Sequence, residues 1–284
     1  MSERAGERRP PEVLARIAGH EVGDGRKLLL IAGPCVMEGE AHALAHARKV
    51  KALAARHGLP VVFKASFDKA NRSSGRSFRG PGLEAGMAAF QAVKRETGLP
   101  CTTDVHEAWQ AEPVGRVVDL LQVPAFLCRQ TDLVIACATH GRSVSVKKGQ
   151  FLAPREMRHA VAKCAEAGNR DVLLIERGAS FGYGNLVVDM RALVIMRELG
   201  VPVCLDATHS VQLPGGAGDV TGGERQYVAP LARAAAAVGI DALFMEIHED
   251  PAVAKSDSTN SLDFDAADRI LGEVLAVRRA LGQP

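Results

Sequence analysis

Short apolar segments alternate with amphipathic segments along almost the whole chain. We count eight units in which an apolar segment, a polar turn and a stretch with apolar residues every three to four positions follow one another. The apolar segments predict strands at 28–32, 60–64, 101–104, 120–123, 143–146, 172–175, 203–205 and 242–246. The amphipathic stretches predict helices, among them 42–56, 83–97, 155–167, 188–199, 227–238 and 264–281. Glycine followed by proline, as at Gly58 and Pro60, marks helix ends before new strands.

This alternation indicates one parallel sheet closed into a barrel. Strands that alternate with helices form parallel sheets, and eight units in about 250 residues is the size of a (β/α)8 TIM barrel. The competing architecture is an open doubly wound sheet, but the chain has no glycine-rich turn of the kind that binds dinucleotides. We predict an α/β fold with one barrel catalytic domain at 26–284. Residues 1–25 would form a tail and a segment, from Glu12 to Gly25, that caps the closed end.

Composition narrows the functional classes. The net charge of the 284-residue chain is only +2, which argues against nucleic acid or a membrane surface as a partner. No apolar run is long enough to span a bilayer, and the N-terminus lacks the apolar segment of a signal peptide. The six cysteines are scattered without a CxxC pair, so we expect reduced thiols and a cytoplasmic location.

A barrel makes a positional prediction, because catalytic groups lie where its strands end. Just past the predicted strands come Cys35, Lys64 with Lys69, Asp104 with His106, Gln122, Lys147 with Lys148, Arg177, Asp206 with His209, and Glu246 with His248. Turn-forming residues would be expected on an ordinary surface. Phosphate binders and metal-ligand types occur instead at nearly every strand end, which predicts an enzyme.

These residues form two chemical groups. The cationic group contains Lys64, Lys69, Arg72, Lys147 and Arg177, with Asn71 and Gln122 as neutral donors. Like charges in one cleft repel, so this group indicates a doubly anionic substrate or two phosphorylated substrates. The second group is Cys35, His209, Glu246 and Asp257, whose donors suit Zn, Fe(II), Mn or Co.

Each of these residues also has an ordinary structural explanation. A single lysine is commonly solvated, Cys35 could be a packing residue, and His209 could be a hydrogen-bonded structural histidine. Glu246 could pair with a neighbouring lysine, and Asp257 could form a turn. Sequence spacing alone does not bring the second group together.

Specific motifs extend over nearly the full length. They are Ala32-Gly33-Pro34-Cys35, the segment 63–74 with Lys69-Ala70-Asn71-Arg72-Ser73-Ser74, Phe78-Arg79-Gly80-Pro81-Gly82, Thr103-Asp104-Val105-His106-Glu107, Pro124-Ala125-Phe126-Leu127 with Arg129-Gln130-Thr131-Asp132, Val146-Lys147-Lys148, Arg177-Gly178-Ala179 with Phe181-Gly182-Tyr183, and Asp206-Ala207-Thr208-His209. On these motifs the chain closely resembles the 3-deoxy-D-manno-octulosonate 8-phosphate synthases, also called 2-dehydro-3-deoxyphosphooctonate aldolases. That family condenses phosphoenolpyruvate with arabinose 5-phosphate for lipopolysaccharide (Kdo) biosynthesis.

The resemblance implies a homotetrameric transferase and assigns roles to residues. One class of the family has asparagine after the first strand and needs no metal, whereas the class with cysteine, as at Cys35, uses a divalent ion. The implied metal ligands are Cys35, His209, Glu246 and Asp257, and the implied catalytic residues are these together with Lys69. Phosphoenolpyruvate would contact Lys64, Lys69, Lys147 and Arg177, with Gln122 nearby. The sugar phosphate would contact Asn71, Arg72, Ser73 and Asp104, with Arg72 and Ser73 supplied by a neighbouring subunit.

One departure concerns the loop around Asp257. Many members of the family continue with glycine and proline there, whereas this chain reads Ser258-Thr259-Asn260-Ser261. Several alternatives stay open. The sister family, which makes heptulosonate phosphate from erythrose 4-phosphate, usually carries Lys-Pro-Arg-Thr-Ser in place of the segment at 69–74. A metal-dependent sugar-phosphate aldolase, a Schiff-base aldolase using Lys64, and a barrel that only binds sugar phosphates are the others.

Overall fold

The computed structural model describes residues 12–72, 74–217 and 220–284. The strands of the described residues are β1 (Leu14–Ile17), β2 (His20–Gly23), β3 (Leu29–Gly33), β4 (Val61–Lys64), β5 (Cys101–Asp104), β6 (Leu120–Val123), β7 (Val144–Lys147), β8 (Val172–Glu176), β9 (Ala179–Ser180), β10 (Leu186–Val187), β11 (Val203–Asp206), β12 (Gln212–Ala217), β13 (Val220–Gly223) and β14 (Ala242–Glu246). Eight of them close into a parallel barrel in the order β11-β14-β3-β4-β5-β6-β7-β8. The predicted (β/α)8 barrel is therefore confirmed.

The α-helices of the same residues are α1 (Glu40–His57), α2 (Leu83–Thr97), α3 (Ala111–Gly115), α4 (Thr131–His140), α5 (Arg158–Glu166), α6 (Arg191–Arg197), α7 (Val228–Val238) and α8 (Phe264–Ala280). Left-handed glycines end α1 and α2, at Gly58 with φ 63° and Gly98 with φ 70°. The start of α8 is capped by Asp263, whose carboxylate accepts a 2.7 Å hydrogen bond from the Ala266 amide.

Some predicted boundaries are wrong where a polar residue or a tighter turn intervenes. The predicted helix at 188–199 is shorter, because Asp189 accepts a 3.0 Å hydrogen bond from the Arg191 amide and the α-helix begins only at Arg191. The predicted helix at 155–167 begins as a 3₁₀ turn, Pro154–Met157, before α5. None of the described helices combines the length and the apolar character that crossing a bilayer requires.

The barrel interior is filled by apolar side chains stacked in layers. Because successive residues of a strand face opposite sides, every second residue points inward. The inward apolar residues are Leu29, Ile31, Val62, Leu120, Leu173, Ile175, Cys204, Ala242 and Phe244. The alternate residues, such as Leu30 and Phe63, pack outward in the larger core that includes the helices.

A hairpin closes the amino end of the barrel. Strands β1 and β2 pair antiparallel, and Ile17 and Val22 are fully buried in the same cluster as the inward-facing strand residues. The Ala18 amide donates a 3.0 Å hydrogen bond to Ser143 Oγ, and the Arg16 amide donates one of 2.7 Å to Asp171. With one end closed, the interior is accessible from the carboxyl ends of the strands. We call that end the mouth. The first part of the proposed tail, residues 1–11, lies outside the described residues.

Candidate active site

A layer of polar side chains lies at the mouth, directly above the apolar side chains that fill the barrel interior. Two residues beyond the inward Val62, Leu120, Ile175, Cys204 and Phe244 come Lys64, Gln122, Arg177, Asp206 and Glu246. All five of these polar residues are at most 5% exposed. Because inward-facing residues of a strand are two positions apart, the last inward apolar residue of each of these five strands is followed directly by an inward polar residue.

Three of the four predicted metal ligands are in mutual contact range. The donor atoms of Cys35, Glu246 and Asp257 all lie within 4.8 Å of one another. Cys35 Sγ is 2.8 Å from Asp257 Oδ2 and 2.9 Å from Ser256 Oγ. Asp257 reaches this position with a left-handed backbone, φ 49°, which aspartate tolerates better than most residues.

His209 completes this quartet. Its Nε2 lies 3.5 Å from Glu246 Oε1 and 3.9 Å from Asp257 Oδ2. Its Nδ1 lies 2.6 Å from Asp206 Oδ2, so that Asp206 orients the ring and leaves Nε2 directed at the quartet. Lys147 Nζ lies 2.7 Å from the same Asp206 oxygen.

The quartet fits a divalent transition metal on the evidence of its own atoms. Glu246 Oε2 is buried and has no hydrogen-bond partner among the described residues, which is costly unless something else satisfies it. One thiol, one imidazole and two carboxylates are donors that Zn, Fe(II), Mn and Co accept. The group can therefore hold a metal, as the sequence predicts for these four residues.

Two lysines lie beside the quartet. Lys64 Nζ donates to the Cys35 carbonyl at 2.9 Å and lies 2.5 Å from Glu246 Oε1, with both side chains about 1% exposed. Lys69 Nζ lies 3.9 Å from Asp104 Oδ2. Asp104 also accepts hydrogen bonds from Ser66 Oγ, at 2.5 Å, and from the side-chain amide of Gln122. The phenyl ring of Phe244 lies under the layer, 4.2 Å from Lys147 Nζ.

Arg177 joins the network from strand β8. Its guanidinium donates to the Gln212 side-chain oxygen, and Gln212 donates in turn to Asp257 Oδ1 at 2.9 Å. Arg177 Nη1 is buried without a hydrogen-bond partner in the described part of the chain. This unsatisfied donor is available to an anion at the mouth.

Burial and charge act in opposite directions on the acids of the site. Burial alone would raise the pKa of Asp257, but the positive charges of His209 and Lys69 lower it well below its usual range. The pKa of Glu246 is likewise lowered, because His209 and Lys64 outweigh its burial. Both carboxylates are therefore ionised and ready to act as ligands.

The Cys35 thiol behaves differently. Burial raises its pKa well above the usual value, and the nearby Asp257 and Glu246 charges raise it further against Lys69 and Lys64. The pKa of Lys69 is raised, since Cys35, Glu246 and Asp104 outweigh the effect of its burial. Without an ion Cys35 is a neutral thiol that donates to Asp257, and binding a metal has to release its proton.

Three cations of the mouth have carboxylate partners within the protein. Lys64 pairs with Glu246, Lys69 approaches Asp104 and Lys147 pairs with Asp206. Anionic substrates are therefore not needed to explain why these three cations converge, because carboxylates are interleaved with them. A divalent metal in the quartet, bound with loss of the Cys35 proton, adds one net positive charge to this layer, and the site then favours anions.

The predicted sugar-phosphate residues lie at the rim. Asn71 is exposed. Arg72 donates 3.0 Å hydrogen bonds to the carbonyls of Phe78 and Lys255 in its own chain. Ser73 lies outside the described residues. The sequence placed Asp206 just past a strand without giving it a role, and it did not identify Gln212, Ser66 or Ser256 as site residues. The inward period of β11 supports the position of Asp206 in the site, whereas no sequence signal brings Ser256 to Cys35, 221 residues away.

The TIM barrel, the quartet of metal-ligand residues and the buried lysines at the mouth together indicate an enzyme. Comparison with known proteins identifies its family. The family described as the DAHP synthetase I family matches residues 12–280. A protein of Syntrophotalea carbinolica is 55% identical over 94% of this chain and 96% of its own length. A protein of Synechococcus sp. is 56% identical over 93% of each chain. One of Koribacter versatilis is 53% identical over 93% of this chain and 95% of its own.

All three relatives carry the name 2-dehydro-3-deoxyphosphooctonate aldolase. The chain therefore belongs to the DAHP synthetase I family and groups with its 2-dehydro-3-deoxyphosphooctonate aldolases. The resemblance drawn from the sequence motifs is confirmed.

Proposed function

We propose that the chain is an enzyme that condenses phosphoenolpyruvate, arabinose 5-phosphate and water into 3-deoxy-D-manno-octulosonate 8-phosphate and inorganic phosphate. The observation that carries this proposal is the polar layer, in which Lys64, Lys147 and Arg177 surround the quartet at one mouth. The names of the relatives support the same reaction. The product would enter lipopolysaccharide (Kdo) biosynthesis.

The cations account for bringing the two substrates together. Two phosphates and a carboxylate repel one another, and buried lysines and an arginine offset that repulsion. Arg177 Nη1 and the ammonium groups of Lys64, Lys69 and Lys147 are the proposed contacts of phosphoenolpyruvate, with Gln122 beside them. Holding both substrates also replaces a two-body encounter with an oriented one.

The reaction follows from this arrangement. Carbon 3 of phosphoenolpyruvate attacks the aldehyde carbon of the open-chain sugar, and the aldehyde oxygen takes a proton. Water adds at carbon 2 and releases one proton, which restores the proton donor. Phosphate then leaves by cleavage of the bond between carbon 2 and its oxygen, and it takes up the proton of the new hydroxyl as the ketone forms. Lys69 is the proposed proton donor. The neighbouring carboxylates that raise its pKa keep its ammonium charged, so that it stabilises the developing alkoxide.

The quartet is the proposed metal site. Cys35, His209, Glu246 and Asp257 would hold the ion, with Asp206 fixing the ring of His209. A bound divalent ion would orient the sugar and activate water. Because a set of thiolate, imidazole and carboxylate ligands does not select one metal, Zn, Fe(II), Mn and Co are all candidates.

We also propose a homotetramer in the cytoplasm, in which Arg72 and Ser73 reach a neighbouring subunit's site and Asn71 and Asp104 contact the sugar. Large apolar side chains in the loops that follow β5 to β8 support an assembly. Trp109, Phe126, Phe151 and Phe181 are 55–69% exposed. All six cysteines are free thiols, which suits a reducing compartment.

Two other reactions use similar groups. The sister condensation with erythrose 4-phosphate is favoured only by the family-level match. The sequence at 69–74, with asparagine before Arg72, and the names of the relatives favour the five-carbon sugar. A metal-dependent aldolase would use the same quartet but would release no inorganic phosphate.

The test is phosphate release from phosphoenolpyruvate with arabinose 5-phosphate or erythrose 4-phosphate, before and after chelation. We expect release with the five-carbon sugar, lost on chelation and restored by a divalent ion. Release only with the four-carbon sugar would replace the proposal with the sister reaction. Activity that survives complete metal removal would refute the role of the metal but leave the condensation intact.

A further inference from the structure

A second cluster of metal-ligand side chains lies apart from the quartet, between helix α1 and the segment after β14. His42 and His46 are four residues apart on α1 and therefore share one face of the helix. His248 packs against both, with ring centroids 5.2 Å from His42 and 5.0 Å from His46. One ligand nitrogen from each of the three lies within 4.8 Å of the other two.

The distances match metal coordination. His42 Nε2 lies 3.2 Å from His248 Nε2. Two nitrogens bound about 2.0–2.1 Å from one tetrahedral zinc are separated by roughly 3.3 Å. Glu38 Oε1 lies 3.6 Å from His248 Nε2 and can supply an oxygen ligand, at the expense of the 3.1 Å hydrogen bond that it accepts from the Lys255 amide. The cluster therefore offers three imidazoles and one carboxylate.

Hydrogen bonds prepare the His46 ring for coordination. His46 Nδ1 lies 2.9 Å from the His42 carbonyl, which only accepts, so Nδ1 carries the proton. Nε2 consequently has a free electron pair, whose present partner is the Glu249 amide at a long 3.3 Å. His42 Nδ1 is buried without a partner in the described chain, so the cluster is not saturated by its own hydrogen bonds.

Burial favours the neutral, metal-binding form of two of the imidazoles. It lowers the pKa of His46 to about 4, with the nearby His42 acting in the same direction. The pKa of His42 is also lowered by burial, although Glu38 opposes the shift. Neutral His42 and His46 can coordinate a divalent cation near neutral pH without first losing a proton to solvent.

We propose that His42, His46, His248 and Glu38 form a second, zinc-type metal site that is separate from the quartet at the mouth. This site would connect the start of α1 to the segment after β14. Because that segment continues to Ser256 and Asp257, the second ion would brace the loop that brings Asp257 to Cys35.

The second site should bind its ion more weakly than the quartet. His248 Nδ1 accepts a 3.1 Å hydrogen bond from the Asp250 amide. Coordination through Nε2 places the ring proton on Nδ1, so this bond has to break. His46 similarly gives up its bond from the Glu249 amide. The ion should therefore be the first to leave on dialysis.

Cobalt distinguishes the two sites, because only the quartet contains a thiolate. Full-length protein stripped with a chelator is dialysed against increasing Co²⁺, and cobalt per chain and absorption are measured together. We expect two cobalt ions per chain. The thiolate-to-cobalt absorption should be complete after the tighter ion, and the second should add only ligand-field bands.

Variants of α1 locate the second ion. His42→Gln should bind one cobalt per chain with the thiolate absorption unchanged. The matched control is His57→Gln, on the same helix, where the ring lies 2.8 Å from Asp268, and this variant should still bind two. Phosphate release is scored on the same samples, so failure of the proposed reaction is seen separately from failure of this site.

Two outcomes would overturn the site. One is wild-type protein that saturates at a single cobalt per chain with complete thiolate absorption. The other is His42→Gln protein that keeps two ions. The wild-type stoichiometry needs no variant, so a folding defect in His42→Gln does not leave the proposal untested.

Discussion

At the scale of single residues, Asp206 connects the two chemical groups of the site. Its Oδ2 lies 2.6 Å from His209 Nδ1 and 2.7 Å from Lys147 Nζ. Burial alone would raise its pKa, but His209 and Lys147 lower it far below its usual range, so the group is a carboxylate. It therefore orients one proposed metal ligand and neutralises one proposed substrate contact at the same time.

Replacing Asp206 by asparagine should weaken both functions. Loss of the carboxylate removes the partner that orients His209 and leaves the buried Lys147 charge uncompensated. We expect metal affinity to fall about 10–100-fold, as for other partners of metal-bound histidines. The KM for phosphoenolpyruvate should rise as well. Competition with a metal indicator and steady-state phosphate release measure the two effects.

Asp241→Asn is the control for that variant. Asp241 is also buried and paired with an arginine, 3.0 Å from Arg197, but it lies just before β14, at the opposite end of the barrel. It should lower thermal stability without changing metal affinity. If both variants lost metal equally, Asp206 would have only a general structural role.

Cys35→Asn tests the quartet directly. The amide keeps the approximate size of the thiol but supplies no thiolate, so metal retention after dialysis should fall. Turnover need not vanish, because the resemblance places asparagine here in enzymes that need no metal. Metal content and phosphate release are measured on one preparation. Full metal content in the variant would contradict Cys35 as a ligand.

At the scale of elements, two helical glycines have opposite surroundings. Gly86 of α2 packs so closely on the loop after β4 that an added Cβ would lie 2.5 Å from Phe67 Cβ. A Cβ added at Gly272 of α8 would have only His57 Cε1 near it, at 4.0 Å. Gly86 therefore permits a close approach of α2 to the loop that carries Lys69, whereas no neighbour requires glycine at 272.

Alanine at these two positions should change stability in opposite directions. Gly272→Ala should stabilise the protein by about 0.5–1 kcal/mol, because alanine has the higher helix propensity. Gly86→Ala should destabilise it by about 1–3 kcal/mol through overpacking against Phe67. Denaturant unfolding measures both. Equal effects would show that the approach of α2 to Phe67 is not constrained.

The sequence predicted elements better than it predicted contacts between them. Strands such as β5 and β6 matched at both ends because apolar runs bounded by turns are local signals. Helix α6 was overextended because the bond from the Arg191 amide to Asp189 replaces the first helical turn. The approach of Asp257 to Cys35, 222 residues apart, is fixed by barrel closure and has no local signal. The resemblance named both residues as ligands, but geometry was needed to give Asp206 its role beside His209.

At the scale of the whole molecule, closure at one end directs chemistry to the other. The β1–β2 hairpin buries Ile17 and Val22 against the amino ends of the strands, so it covers the apolar interior at that end. The polar layer can then hold several ionised groups beside the Phe244 ring, where charges interact strongly. The histidine cluster beside α1 lies outside this layer and has a separate effect on stability.

That cluster should make the metal-free protein sensitive to mild acid. The pKa of His46 is lowered to about 4 by burial and by His42, whereas an unfolded histidine titrates near 6.5. Between these values the unfolded chain binds more protons, so stability is complete above pH 6.5 and falls as the pH drops toward 4. The loss is up to about 3 kcal/mol.

We expect His46→Gln to have a smaller slope of unfolding free energy over this range, measured by urea unfolding in chelator. The control is His159→Gln, which replaces an exposed histidine and should keep the wild-type slope. Equal slopes in His46→Gln and wild type would place the acid sensitivity elsewhere in the molecule.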